Sequence, residues 1–254
     1  MSRVAGADAA SVESALRAIG GVEGWLTEGQ AKRLWAAADR VPEGGRILEI
    51  GSYRGRSTIV LARGARPGVE VVAVDPHAGN DRGPREIAGF VEEGRADREA
   101  FAANLDAADV AGAVRHVPLP SAAALSVVEG PLDVLYVDGA HRYRLASADV
   151  SLWGARLRPG GTLLVHDAFS AIGVTLAQLR HLAISDRFRY IGRTRSLAEY
   201  RREDVSGRRR TRSTARQVAQ LPWFVRNVAI KVALVVRWHG LARALGHRGR
   251  DWPY

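Results

Sequence analysis

Two stretches of this chain set a histidine beside an aspartate: Asp138-Gly-Ala-His141 and His166-Asp167. A further acid, Asp75, closes an apolar stretch, and a glycine-bearing turn, Gly51-Ser52-Tyr53-Arg54-Gly55, closes another. Carboxylates and imidazoles are the side chains that exchange protons near neutral pH and coordinate cations. Glycines let the backbone approach a ligand closely, and a helix starting just behind such a turn favours negative charge. The turn lacks the Gly-x-Gly-x-x-Gly spacing and no Gly-Lys-Ser/Thr follows it, which argues against a dinucleotide fingerprint and a P-loop. Taken alone, a glycine-bearing turn is more often simply a turn.

The elements that must carry these residues alternate. Apolar strands are expected at 46–50, 69–74, 114–118, 132–137 and 162–165. Helical segments are expected at 57–63, from the 80s to about 108, at 121–128, 145–157 and 172–184, with 188–192 and 197–200 as an antiparallel pair. Nearly all-apolar strands alternating with helices mean a parallel sheet covered on both faces. Ligands of such sheets bind beyond the carboxyl ends of the strands, where Gly51, Ser52, Tyr53, Asp75, Asp138, His141, His166 and Asp167 all fall. A carboxylate at the end of the second strand accepts both hydroxyls of a ribose in nucleotide-binding sheets; the plainer alternative for Asp75 is a helix N-cap before Pro76. The loop holding Gly79-Asn80-Asp81-Arg82-Gly83-Pro84 either closes over a ligand or is plain surface.

The flanks read differently. Residues 11–41 are expected to be helical, with Thr27 and Gln30 at the spacing of a capping box. Residues 203–217 are polar and Arg-rich and read as a linker, and 221–245 as an apolar helix whose cations define no clean face. The expected organisation is a helical cap at 1–44, a sheet domain at 45–203, and a basic linker with a C-terminal helix at 204–254.

Composition bounds the chemistry. The 254 residues contain no cysteine, which excludes disulfides, thiol catalysis and cysteine-zinc sites. The net charge of +10 is lopsided: from Arg187 onward 17 Lys/Arg face 4 Asp/Glu, whereas the first 186 residues carry a small negative balance. A tail of that kind suits an anionic partner, phospholipid or nucleic acid, although Arg-rich codon usage explains it as well. The N-terminus lacks an apolar signal region, and the apolar stretch 232–236 is far shorter than a membrane span. A cytoplasmic protein, with membrane contact through the C-terminal helix, is the expectation.

Four motifs in order carry a family resemblance: Leu48-Glu-Ile-Gly-Ser-Tyr-Arg-Gly-Arg-Ser-Thr58, Val74-Asp-Pro-His77, Tyr136-Val-Asp-Gly-Ala-His-Arg-Tyr143 and Leu157-Arg-Pro-Gly-Gly-Thr-Leu-Leu-Val-His-Asp167. Over about residues 45–200 the chain resembles class I S-adenosylmethionine-dependent methyltransferases. Within these it is similar to small bacterial metal-dependent O-methyltransferases acting on catechols, cephalosporins, macrolide sugars and mycobacterial methylmannose polysaccharides. The resemblance implies an α/β fold, a Rossmann-like seven-stranded sheet, mostly parallel with an antiparallel C-terminal strand, plus N-terminal helices and a basic C-terminal helical extension. It implies S-adenosylmethionine as cofactor. Glu49, Gly51 and Ser52 would line its methionine part, with Tyr53 and Ser57 near the carboxylate. Asp75 would hold the ribose, His77 border the adenosine, Ser121 sit by the adenine, and Asp138 lie by the sulfonium.

The metal-dependent relatives place acids at the ends of the fourth and fifth strands. Here that set is Asp138, His166 and Asp167, which would hold Mg²⁺ or Mn²⁺; His166 departs from the all-oxygen pattern, and a hydrogen-bonded pair that shapes the pocket is the alternative. His141 stands where these relatives carry a base and would take the proton of an acceptor hydroxyl, or else only support the residues around it or pack on the adenine. The implied acceptor is a sugar or glycan intermediate, mannoside-type included, or another small molecule. An RNA-methylating enzyme gripping phosphates with Arg201–Arg216 is the rival, against which no base-flipping motif or RNA-binding module is present. A homodimer is a further expectation.

Overall fold

The computed structural model describes residues 11–78 and 91–247. The loop at 79–84 singled out above lies outside the described residues. The strands form one seven-stranded sheet with order β3-β2-β1-β4-β5-β7-β6, where β1 is Arg46–Ile50, β2 Glu70–Val74, β3 Val114–Val117, β4 Leu132–Val137, β5 Leu157–Val165, β6 Phe188–Thr194 and β7 Leu197–Arg202. The chain divides into two compact units, Met1–Leu135 and Tyr136–Tyr254. The boundary falls inside β4.

In the first unit β1 and β2, and β2 and β3, pair in parallel, with Ile50 opposite Val74 and Val74 opposite Val117. Ile47, Leu48 and Val72 are fully buried; strands covered on both faces have no need of a polar side. The expected cap is integral to this unit. Helices α1 (Val12–Ala18) and α2 (Glu28–Asp39) pack on α3 (Arg56–Gly64). Gln30 accepts the Thr27 N–H at 2.9 Å and its hydroxyl at 2.8 Å, so the spacing seen in the sequence starts α2. A Cβ on Gly64 would lie 3.0 Å from the Trp35 carbonyl, so only glycine lets α2 and α3 approach this closely. Arg56 ties the arrangement from below: its guanidinium donates to the carbonyls of Ile19 (2.7 Å), Val22 and Leu26 (3.3 Å). Helices α4 (Val91–Ala107) and α5 (Ser121–Ala124) complete the unit, α5 being shorter than expected.

In the second unit the expected helix 145–157 is broken into α6 (Tyr143–Ala148), a π turn and a 3₁₀ turn. Strand β5 begins at Leu157 and runs through Pro159-Gly160-Gly161, which the sequence marks as a stop. Leu157 is buried while Pro159 and Gly160 stay exposed, so burial of one leucine pulls the segment into extended form. Helix α7 (Ile172–Leu182) follows, and β7 lies antiparallel to both β5 and β6.

The linker expectation for 203–217 is overturned. Residues Gly207–Val218 form helix α8, and its polar side chains dock it. Ser213 Oγ accepts the Tyr190 N–H at 3.0 Å, Gln217 accepts from the buried Tyr200 hydroxyl at 3.1 Å, and Thr214 donates to the Ala183 carbonyl at 2.7 Å. Arg210 and Arg216 donate to the carbonyls of Ile184 and Ile191. An apolar-periodicity reading misses such a helix because its contact face is written in hydroxyls, an amide and guanidinium groups. The apolar segment then splits into α9 (Leu221–Val235) and α10 (His239–Ala244), which close on Ile230, Ala233 and Ala242. The run Gly207–Val235 is long and apolar enough to cross a membrane by length and composition. Polar contacts hold it as well as apolar ones: the buried Asn227 donates to the Phe169 carbonyl at 3.3 Å and the half-buried Lys231 to the Ser170 carbonyl at 3.0 Å.

Candidate active site

In the first unit the turn after β1 depends on three left-handed residues: Gly51 and Gly55, each at φ 85°, and Tyr53 at φ 47°. Left-handed backbone is costly for a residue with a Cβ and persists where neighbours over-determine it. Asp75 does so here. Its Oδ2 accepts the Tyr53 N–H at 2.8 Å and its Oδ1 accepts the His77 N–H at 2.8 Å. No described helix follows Asp75, so the N-cap alternative is not realised. His77 Nε2 lies 2.8 Å from the Tyr53 carbonyl, and its ring packs on His116 and Phe101 at centroid distances of 5.0 and 5.4 Å.

Glu49 is fully buried and accepts from the hydroxyls of both Ser57 and Thr58. It anchors the first turn of α3, and Ser57 spends its hydroxyl on that anchor. Ser52 is different: its Oγ is buried and finds no hydrogen-bond partner in the structure. Buried hydroxyls are normally satisfied, so this one fits a ligand's polar group. The Tyr53 ring lies 5.6 Å from Trp25, and its pKa is pushed up to about 12 by burial and by the nearby Asp97 carboxylate. Ser121 opens α5, part-exposed.

In the second unit β4 delivers Asp138 and β5 delivers His166 and Asp167. The His166 N–H donates to the Val137 carbonyl at 2.9 Å. Asp167 then turns left-handed at φ 53°, and the chain doubles back with Ser170 and Ala171 N–H groups on its carbonyl. The side chains interlock. Tyr136 donates its hydroxyl to Asp138 Oδ2 at 2.8 Å. His166 Nδ1 lies 3.1 Å from Asp138 Oδ1 and 3.7 Å from Asp167 Oδ2, and His141 Nε2 lies 2.7 Å from Asp167 Oδ2. Burial disfavours a charged His166, yet the two carboxylates outweigh it and raise the imidazole to about 10. Burial also opposes an ionised Asp167, yet His166 and His141 hold its carboxyl well below the usual range.

Asp138, His141 and Asp167 offer three donor atoms within 4.8 Å of one another. Two carboxylate oxygens and one imidazole nitrogen fit a divalent cation, and the mixed set suits Mn²⁺ better than Mg²⁺. The structure thus brings His141 to this trio, while His166 faces Asp138 from behind. Two residues escaped the sequence reading. A Cβ on Gly173 would fall 2.2 Å from the His141 carbonyl, so glycine is what allows α7 to start against the His141 backbone. Lys231, from α9, meets Ser170 beside the same turn. Neither belongs to a motif, and only the fold brings them near.

Residues 48–168 match the family model described as a methyltransferase domain. Among solved structures, the chain is similar to an O-methyltransferase from Bacillus cereus in complex with SAH (18% identity, 79% of this chain and 94% of that chain, TM-score 0.56). It is also similar to the O-methyltransferase TomG from Streptomyces achromogenes, involved in tomaymycin synthesis, in complex with SAM (22% identity, 81% and 92%, TM-score 0.51). A third is the SAH-bound Podospora anserina methyltransferase PaMTH1 (19% identity, 80% and 91%, TM-score 0.52). Identities this low speak for the fold, and the family match speaks for the domain. Residues 48–168 thus match a methyltransferase-domain model, and the seven-stranded sheet that carries them has the Rossmann-like fold of these structures.

Proposed function

We propose that this protein is an S-adenosylmethionine-dependent O-methyltransferase that methylates a hydroxyl of a small molecule or of a sugar or glycan intermediate. The observation that carries the reading is the 2.7 Å contact between His141 Nε2 and the buried Asp167 carboxylate. The carboxylate lies against one imidazole nitrogen, which leaves the other, Nδ1, as the nitrogen assigned to accept the proton. The cofactor supplies the electrophilic methyl group, and Ser52, Asp75 and the Gly51 turn have the donors, acceptors and open backbone to bind it. The acceptor hydroxyl becomes a competent nucleophile when His141 takes its proton, and Asp167 stabilises the resulting imidazolium. A divalent cation held by Asp138, His141 and Asp167 would acidify and orient the hydroxyl. A nitrogen that ligates a cation cannot also take a proton, so the two roles of His141 would need its two different nitrogens.

The test is calorimetric titration with S-adenosylmethionine, followed by incubation with labelled cofactor and a panel of hydroxyl acceptors, with Mn²⁺ and with chelator. Cofactor binding that is lost in Asp75→Ala, together with label transfer to oxygen, supports the reading. Absence of cofactor binding in a folded protein ends it. Label appearing on RNA, with binding that weakens steeply in salt, moves it to the rival acceptor.

A further inference from the structure

The second unit contains a cavity of about 410 Å³ lined by His141, Gly173 and the α9 residues Val228, Val232 and Val235. That volume is within the range of small-molecule sites. Ile172 also lines the cavity, and its polar groups are few: His141, Ser170 and the Lys231 ammonium, which donates to the Ser170 carbonyl at 3.0 Å. Ile172, Val232 and Val235 are 57%, 56% and 68% exposed, an apolar surface left open beside the proposed base. A mostly apolar lining with a few polar groups suits a ligand that pairs a polar group with an apolar body. A bare sugar suits it poorly, because hydroxyls laid against valine walls lose their water partners and gain none.

We propose that this cavity binds the apolar arm of the methyl acceptor, so that the substrate is a hydroxyl compound carrying an aliphatic or aromatic body seated against α9. The proposal rests on the O-methyltransferase reading for what happens at the hydroxyl, and on the cavity for what is recognised. Helix α9 thereby acts as the specificity wall. The aglycone of a glycoside acceptor, not its sugar ring, would fill it.

The probes are straight-chain alcohols from butanol to decanol, titrated calorimetrically into the full chain, alongside separate titrations with S-adenosylmethionine. Affinity is expected to rise by about fourfold per methylene until the cavity is full, as full burial of each CH₂ dictates. Val232→Trp, which fills the cleft from an exposed position, should lower octanol affinity at least about tenfold while leaving cofactor affinity unchanged. Val235→Asp, also at an exposed position, should act in the same direction. Affinity that is flat with chain length, or insensitive to both variants, overturns the proposal. So does an octanol-indifferent protein whose dimer dissociates, or whose binding to anionic vesicles disappears, on Val235→Asp, because the surface is then covered by a second copy or a bilayer. Chain-length-dependent alcohol binding without any cofactor binding instead supports the cavity and removes the methyltransferase reading, which keeps the two failures apart.

Discussion

His141 and His166 are chemically identical side chains with opposite situations. His166 is buried between Asp138 and Asp167 and is held as a cation, its pKa raised to about 10. His141 touches Asp167 through one nitrogen and borders the open cleft. A base must reach the acceptor hydroxyl, so His141, which borders the cleft, is assigned that role, and His166, enclosed by two carboxylates and held charged, is not. His141→Asn should therefore lower turnover by about 10²–10⁴-fold with cofactor affinity unchanged, as steady-state kinetics and calorimetry would show. For His166 the linkage sign is fixed. A folded pKa raised above the unfolded value of 6.5 gives stability that is complete below about pH 6.5 and is lost as pH rises through about 10. Asp167 works in the other direction: its depressed carboxyl contributes stability above its unfolded value of 3.8, and this is lost as pH falls through the lower folded value. Urea midpoints of the metal-free protein from pH 6 to pH 10.5 should fall more steeply in the native protein than in His166→Gln. Parallel curves would show that the imidazole carries no charge in the folded state.

At the scale of elements, two joints decide whether the side chains meet. The first is the start of α7, where Gly173 leaves no room for a Cβ against the His141 carbonyl at 2.2 Å. Gly173→Ala must push α7 or the His141 segment aside. It should cost about 1–3 kcal/mol and lower turnover with the base itself intact, a pairing that denaturation and kinetics on the same sample would register. The second joint is α8 on β6 and β7. Gln217 accepts from the Tyr200 hydroxyl and donates to the Leu182 carbonyl at 3.2 Å, all buried. Gln217→Leu leaves these groups short of partners and should destabilise the protein by about 1–3 kcal/mol in urea unfolding. Arg210 and Arg216, which the composition offers to an anionic partner, are engaged with the protein's own carbonyls. Removing them should cost stability before it costs any binding to phosphate.

For the whole molecule, the basic tail is a structural part of the second unit. Helix α8 satisfies the Tyr190 N–H and the Tyr200 hydroxyl, α9 is pinned through Asn227 and Lys231 to the turn that carries Asp167, and α10 closes on α9. A chain ending at Glu203 would expose those tyrosines and remove one wall of the cleft. Its melting temperature should fall by several degrees, and alcohol binding should vanish with it, in a thermal scan and titration. A truncated chain as stable as the full one would return residues 204–254 to the status of an appendage.

The parallel sheet was legible because strands covered on both faces must be apolar throughout, and the turns at Gly51, Asp75, Asp138 and His166 because polar residues at strand ends interrupt those runs. The capping box at Thr27 was legible because it is local, confined to residues 27–30 and set by backbone geometry. What the amino-acid order did not contain was anything fixed by contacts distant along the chain: the helix at Gly207–Val218, whose docking face is polar; the continuation of β5 through Pro159-Gly160-Gly161; and the placement of Gly173 and Lys231 beside the Asp138–His141–Asp167 trio. Local rules assign a residue its own backbone, but which nitrogen of His141 meets a carboxylate, and which imidazole stays charged, depends on distances and burial that exist only once the chain has folded.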